Sequence, residues 1–483
     1  MQLFAGLWHL GDPFYDGRYH YNWGPAFWLL RAQDTNDAGI AASYFGVAGY
    51  HSHPQLIGAV IAPWTQVVGY SESSIRSLAL LLAVIATALL AWWVRRHAGN
   101  VAALAAAALF ASLPIIYMFG KKLDQENLLI IFLLLQLIGY SYVKSSVRWG
   151  LVAIGASSFL MMSSDWSGAV FAAALWVGAL AAWGWSANRQ LLIRAACVSA
   201  TGVVAGLIVF LVQSYVQEAH GSASKLFGDY YQVWQYRAGK DSGLPWYWWL
   251  YRQYYFLVEN FSLPLFLLAL GSLGVAARTR TRAVEHRELA IFGLAVFFGS
   301  LVYQLAVPQA SGVHVYYQFY YAIPVAIGLY LAANFFAKRY APRLKNGSLV
   351  VAGLLFLSSA LWTVHIYYEF INVNQSGDRS DIGLLRSLRE IPPDLEIVVG
   401  EATELGRAWF QGPNIRYYAG RDIPTYLLEE GIKLAPYQII PAFTTKDYAD
   451  AINIKHAYGR GVTAAVMYCS THYCLLNILI PHR

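Results

Sequence analysis

The sequence predicts a polytopic α-helical membrane protein that ends in a small C-terminal α/β domain. Apolar runs of about 20 residues, the length that crosses a bilayer core, recur from Ser77 to Tyr367. Basic residues are confined to alternate loops between those runs. After Tyr368 the composition turns polar and short strand-like runs appear. Of the 483 residues 57% are hydrophobic and only 13% charged, against about 25% charged in an average soluble domain. The abundant Trp and Tyr fit the same class, because their rings favour the membrane interface.

Residues 1–75 are aromatic, rich in Gly and Pro and broken by charges, so they are expected to form a structured outer loop region with interfacial helices. Within it Pro54–Tyr70 is apolar but interrupted by Pro63 and Gly69, the pattern of an interfacial or re-entrant helix. Six apolar segments follow at Ser77–Val94, Val101–Met118, Leu128–Val143, Gly150–Met162, Gly168–Trp185 and Leu191–Val212. After an aromatic outer loop, 214–261, four more stand at Ser262–Ala277, Leu289–Ala306, Phe319–Phe336 and Leu349–Tyr367. Residues 76–370 are therefore read as a helical membrane domain.

One alternate set of loops holds Arg95 and Arg96, Lys144 and Arg148, Arg189 and Arg194, Arg278 to Arg287, and Lys338 to Lys345. Among the short loops of the other set, only Lys121 and Lys122 are basic. The positive-inside rule puts the basic set in the cytoplasm. It also accounts for the net charge of +7 without nucleic acid. The loops around Asp34, Asp124, Asp165 and His314, the loop 214–261 and everything after Tyr368 are then expected outside. Met1–Leu10 is too short to span and lacks the basic start of a signal peptide. Either a first membrane helix stands upstream of this chain, the preferred reading, which gives about 11 spans in all, or the N-terminus is translocated unaided.

Residues 371–483 carry strand-like runs at Glu396–Gly400, Tyr437–Ile440, Thr463–Tyr468 and Leu475–Ile480, and helical stretches at Ser380–Ile391 and Thr445–Ile454. This alternation predicts the small α/β domain. Three cysteines make no disulfide framework. Cys197 falls in an apolar helix, while Cys469 and Cys474 could pair if the C-terminus is extracytoplasmic.

Ionisable groups next to a membrane core are costly, which marks the outer loops as candidate functional sites. Asp34 and Asp37 are three residues apart and would share a helix face. A partly desolvated carboxylate there could take a proton from an acceptor hydroxyl; the alternative is an N-cap for a helix over Ala38–Tyr44. Asp12 and Asp16 read as turn residues. His51 and His53 could bind a metal, but a two-residue spacing without nearby cysteine is a weak metal signal; His53 is better suited to hydrogen bonding or phosphate contact, the alternative being a satisfied structural histidine. Lys121 and Lys122 break the charge rule, which points to an anionic partner such as a lipid phosphate, with Asp124 and Glu126 orienting them; Asp124 or Asn127 could instead cap the next helix. Asp165 could contact substrate or cap a helix. In the loop 214–261, Arg237 and Lys240 lie among aromatics that suit either sugar rings or an amphipathic interfacial helix. His314, Tyr316 and Tyr317, before a span containing Pro324, could hold a phosphate.

Taken in order, QDTNDAGIA in the first outer loop, His53-Pro54-Gln55-Leu56, Lys122-Leu123-Asp124, and His314-Val315-Tyr316-Tyr317 resemble the GT-C superfamily of polyprenyl-phosphate-sugar glycosyltransferases. The likeness is to the protein O-mannosyltransferase and aminoarabinose transferase branch, and covers about residues 10–340. It implies a GT-C fold and an inverting sugar transfer to an acceptor hydroxyl on protein, lipid or glycan. Asp34 would be the base with Asp37 as competitor, and Lys121, Lys122, Arg237 and His314 would stabilise the departing phosphate. The family's acidic pair is adjacent, whereas here it is spread over QDTND, so the choice between the two acids stays open. A divalent metal also stays open. A secondary transporter would predict internal repeats and midplane charges, and the sequence has neither; a lipid flippase or polysaccharide polymerase would use outer-face charges too.

Overall fold

The computed structural model describes residues 23–39, 54, 56–120, 122–217, 223–239, 245–278, 284–340, 347–375 and 386–390, together with four strands between 398 and 479. The chain divides into two compact units. One comprises Met1–Leu10 with Arg31–Tyr368, the other Gly11–Leu30 with Glu369–Arg483.

The described helices are α1 (Trp23–Ala38), α2 (Leu56–Val68), α3 (Glu72–Ser112), α4 (Pro114–Phe119), α5 (Gln125–Val143), α6 (Val147–Ser164), α7 (Ser167–Trp183), α8 (Trp185–Gln217), α9 (Ala223–Arg237), α10 (Trp246–Phe261), α11 (Leu263–Arg278), α12 (Val284–Ala306), α13 (Pro308–Val313), α14 (Ala322–Tyr340) and α15 (Gly347–Gln375). A 3-10 turn, Val315–Tyr321, joins α13 to α14. Among the described residues six helices are long and apolar enough to cross a membrane, or seven if α10 and α11, which meet at 91°, form one bent span. The protein is an integral multi-pass membrane protein.

This is fewer than the ten segments read from the sequence, and the differences have local causes. Most of Ser77–Met118 lies in one 41-residue element, α3. A straight helix of that length would reach about 60 Å, twice a bilayer core. It breaks at Gly99, where φ is 80°, a conformation that glycine adopts without a Cβ penalty. The segment Gly150–Met162 is α6, whose serines lower its apolarity, and Gly168–Trp185 becomes α7, 17 residues long. Pro114 ends α3, and the carbonyl of Ser112 accepts instead from Ser359 Oγ at 3.0 Å and Thr363 Oγ1 at 2.6 Å on α15.

The most enclosed helices are α5 and α14. Glycines allow the closest approaches: a Cβ on Gly202 would lie 2.4 Å from Gly155 O, and one on Gly328 2.3 Å from Ala269 O. Inside the bundle Gln136 on α5 donates to Ser158 at 3.0 Å and to Ser199 at 3.3 Å, and those two hydroxyls lie 2.9 Å apart, joining α6 and α8. At the end of the bundle where the basic loops lie, Lys144 and Glu288 pair at 2.5 Å, and His97 Nδ1 is 3.7 Å from the same carboxylate.

In the second unit β1 (Val398–Gly400), β2 (Ile439–Thr445), β3 (Thr463–Cys469) and β4 (Tyr473–Leu479) form one sheet in the order β1-β2-β4-β3. The β1–β2 pair is parallel and the others antiparallel, with a register shift between Val466 and Tyr468. Each of the four strand-like runs overlaps a strand, the second at Ile439 and Ile440 alone. Of the predicted helix Ser380–Ile391, residues 386–390 are described and helical. Thr445 ends β2, and the remainder of Thr445–Ile454 lies outside the described residues.

The β3–β4 register sets Cys469 directly opposite Cys474, and facing antiparallel residues have Cα atoms about 4.5–5.5 Å apart, within disulfide range. In protein matured in an oxidising compartment, the two cysteines are expected to resist alkylation until a reductant is added. Intact-mass measurement of the alkylated protein checks this.

Candidate functional site

Asp34 and Asp37 lie one turn apart in α1, which ends at Ala38. They therefore do not cap a following helix, as one reading of the sequence had it; they belong to the C-terminal turns of a preceding one. The carbonyl end of a helix carries partial negative charge and disfavours an acid, so Asp37 occupies a position that helix energetics alone would not select. This end of α1 is fixed by its neighbours: Asn36 Nδ2 donates to Thr65 Oγ1 at 3.1 Å, and Gln66 Nε2 donates to Asn36 Oδ1 at 2.9 Å. The receiving helix, α2, is tied to α3 by Trp64 Nε1 donating to Ser74 O at 2.9 Å. His53 and Lys121 lie outside the described residues.

Lys122, Asp124, Asp165, His314, Tyr316 and Tyr317 come together. Asp124 is the N-cap of α5, with a capping box: Gln125 N donates to its Oδ1 at 3.0 Å, while Asp124 N donates to Asn127 Oδ1 at 2.8 Å. Its other oxygen lies 3.6 Å from Lys122 Nζ. Lys122 is buried, and its ammonium stands 4.7 Å from the ring centroid of Tyr316 and 5.4 Å from that of Phe119, both within cation–π range. Tyr316 stacks with His314 at 5.0 Å and with Tyr317 at 4.8 Å.

Asp165 closes the circuit. It is 1% exposed and follows the last residue of α6. Its Oδ1 accepts from Ser167 N at 2.8 Å, at the positive end of α7, and from Tyr303 Oη at 3.2 Å; its Oδ2 accepts from Gln125 Nε2 at 3.1 Å. Tyr303 in turn stacks on Tyr317 at 5.3 Å. Lys122, Tyr316, Tyr317, Tyr303, Asp165, Gln125 and Asp124 thus form a closed ring of contacts. Arg237, at the end of α9, lies within electrostatic range of Tyr303.

Beside the ring is Glu126, a buried carboxylate whose Oε2 has no hydrogen-bond partner among the described residues. Among those residues no three His, Cys, Asp or Glu side chains gather as a metal site would require. Sequence reasoning missed Gln125, Asn36 and Tyr303. Gln125 and Asn36 stand inside the polar stretches already singled out. Tyr303 carries no local signal, being one tyrosine in an apolar helix far along the chain from Asp165.

The fold is of the GT-C type, as in the solved structures to which this chain is similar. The polyprenyl-phosphate-sugar glycosyltransferases resembled by the outer-loop motifs share that fold. Residues 52–215 match the family model described as dolichyl-phosphate-mannose-protein mannosyltransferase. Similar solved structures include ArnT from Cupriavidus metallidurans bound to undecaprenyl phosphate, with TM-score 0.63 and 13% identity over 99% of this chain and 96% of that one. The oligosaccharyltransferase of Archaeoglobus fulgidus, tethered to an acceptor peptide, matches with TM-score 0.52 and 14% identity over 89% of this chain and 64% of its own. No protein of curated function matches the sequence significantly.

Removing the Asp165 carboxylate would strip the acceptor from Ser167 N, Tyr303 and Gln125 together. Hydrogen bonds to a charged group contribute about 1.5–3 kcal/mol each, and unpaired buried donors add a penalty. Asp165→Ala is therefore expected to destabilise the protein by about 3 kcal/mol or more, read as a lowered Tm in detergent. Asp165→Asn, which keeps the shape, should recover part of that loss.

Proposed function

We propose that this chain is a membrane glycosyltransferase that moves a sugar from a polyprenyl-phosphate donor to an acceptor hydroxyl on the extracytoplasmic face, with inversion. The observation that carries this reading is the buried Lys122 in its ring. An ammonium has three donors, and its carboxylate partner stands at 3.6 Å, beyond the 2.7–2.9 Å of a tight charge-assisted bond. Attractive capacity for an anion is left over. The match of 52–215 to a dolichyl-phosphate-mannose transferase model supports a lipid-phosphate donor, as does the fold shared with an undecaprenyl-phosphate-bound structure.

In this mechanism a carboxylate of α1, Asp34 or its competitor Asp37, takes the proton of the acceptor hydroxyl. The acceptor oxygen forms a bond to the anomeric carbon as that carbon's bond to the phosphate oxygen breaks. The electron pair leaves with the polyprenyl phosphate, whose growing charge is met by Lys122, with Lys121, Arg237 and His314 assisting and Tyr316 and Tyr317 donating hydrogen bonds. Stabilisation of developing charge is the largest contribution in such reactions. Asp124 orients Lys122, Asp165 holds the ring, and His53 contacts the phosphate from the first loop. The acceptor is a protein, lipid or glycan hydroxyl. The domain plan is a first outer region over 1–75, a membrane domain over 76–370 and a C-terminal extracytoplasmic α/β domain over 371–483.

Sugar transfer or donor hydrolysis from a panel of polyprenyl-phosphate hexoses and pentoses, by protein in lipid, tests this. One of Asp34→Asn and Asp37→Asn is expected to lose about 100-fold or more in rate, the usual range for a general base, while the other stays active. Lys122→Met should fall by a similar factor through the loss of charge stabilisation. If wild type consumes no donor while correctly folded, the reading fails. Repeating the assay with EDTA decides whether a divalent metal takes part.

A further inference from the structure

The segment bearing His314, Tyr316 and Tyr317 is short and lies between α12 and α14. One face of α10 holds it. Trp249 Nε1 donates to Ser311 Oγ at 2.8 Å, Arg252 Nε to Gly312 O at 3.0 Å, and Gln253 Nε2 to Ser311 O at 2.8 Å. On the far side of the histidine, Gln318 Nε2 donates to Gln253 Oε1 at 2.9 Å and to Gln253 O at 3.2 Å, and Asn260 Nδ2 donates to Gln318 Oε1 at 3.2 Å. Trp248 presses so close to Gly312 that a Cβ there would lie 2.5 Å from its ring. Gln253 bonds both flanks of the stack, before it at Ser311 and after it at Gln318, while Gln304 on α12 adds a second brace, accepting from Ser311 Oγ at 2.9 Å and donating to Tyr317 O at 3.0 Å. Gln253 is 7% exposed.

The opposite face of α10 shows Trp246, Tyr247, Leu250, Tyr251 and Tyr254, all exposed and spaced as one helical face. Together with the 91° angle to the apolar α11, this composition suits a helix lying along a bilayer surface.

We propose that Gln253 is a positioning residue: through its amide, α10 fixes the place of the His314–Tyr316–Tyr317 stack beside Lys122. Gln253 touches neither the stack nor Lys122 in the contacts above; it acts through Ser311 and Gln318. The link to catalysis rests on the transferase reading, whereas the link to the stack does not.

The test uses the full chain in lipid nanodiscs and compares wild type with Gln253→Met, which keeps the volume and removes the amide. Gln318→Met is a second variant that cuts the same link from the other side, and Tyr247→Phe on the outer face is a control. Amide exchange over residues 311–318 is expected to speed up about tenfold or more in both amide variants, with the spanning helices unchanged. Donor turnover should fall about tenfold in kcat, with KM within about threefold, because a displaced stack weakens the transition state more than the ground state. Unchanged exchange over 311–318 overturns the proposal, as does an equal effect in Tyr247→Phe. Faster exchange in a protein whose wild type consumes no donor supports the positioning link and counts against the transferase reading instead.

Discussion

A carboxylate buried among apolar helices persists only if donors surround it, since an uncompensated buried charge costs several kcal/mol. Asp165 meets that constraint with donors from three helices: Gln125 in the first turn of α5, the nearby Ser167 N at the start of α7, and Tyr303 on α12, far along the chain. Each bond fixes the rotation of the element that supplies it. With Gln125 held, the first turn of α5 cannot turn, and Asp124 presents one oxygen to its own helix and the other to Lys122. With Tyr303 held, its ring gives Tyr317 a surface to stack on. The ring of contacts around Lys122 is thus a consequence of satisfying one acid.

The two ends of the bundle handle charge differently. At the end with the basic loops, Lys144, Glu288 and His97 form a compact cluster whose lysine is largely open to solvent, and Lys144 also rests 5.0 Å from the Trp183 ring. At the other end the acids outnumber the described lysine, and the charges are buried with polar amides and aromatic rings. Gln136, Ser158 and Ser199 lie between, a neutral polar tie that needs no charge. The buried carboxylates Asp165 and Glu126 stand where the outer-loop motifs fall.

Local pattern carried much of this in the sequence. Apolar runs marked the helices, the strand-like runs at 398–479 became a sheet, and the polar stretch from Lys122 to Asn127 announced a capped helix start because a capping box is a local device. What depended on distance was hidden. Nothing near Tyr303 shows that its hydroxyl meets Asp165, and nothing near Gln253 shows a partner at Gln318, because apolar helices tolerate such residues at many positions. The reading of Asp34 and Asp37 as an N-cap failed for another reason: the aromatic, Gly- and Pro-containing run before them looked like loop, yet α1 extends through it to Ala38. Tertiary contacts through Asn36 outweigh weak local propensity there. The break within α3 was legible, since Gly99 stands between the two apolar runs and takes a non-helical φ of 80°.

The ring around Lys122 is built unevenly. Along Asp165 it is held by directional hydrogen bonds, while Tyr316, Tyr317 and Tyr303 meet one another ring to ring. An ammonium against an aromatic face is held by about 0.5–2 kcal/mol, far less than a desolvated ion pair with phosphate would supply. Lys122 is 3% exposed and also pairs with Asp124, so turning its ammonium toward another anion asks its packed neighbours to give. A guest that carries negative charge would find the aromatic side of the ring already placed, and would compete with Asp124 for the lysine.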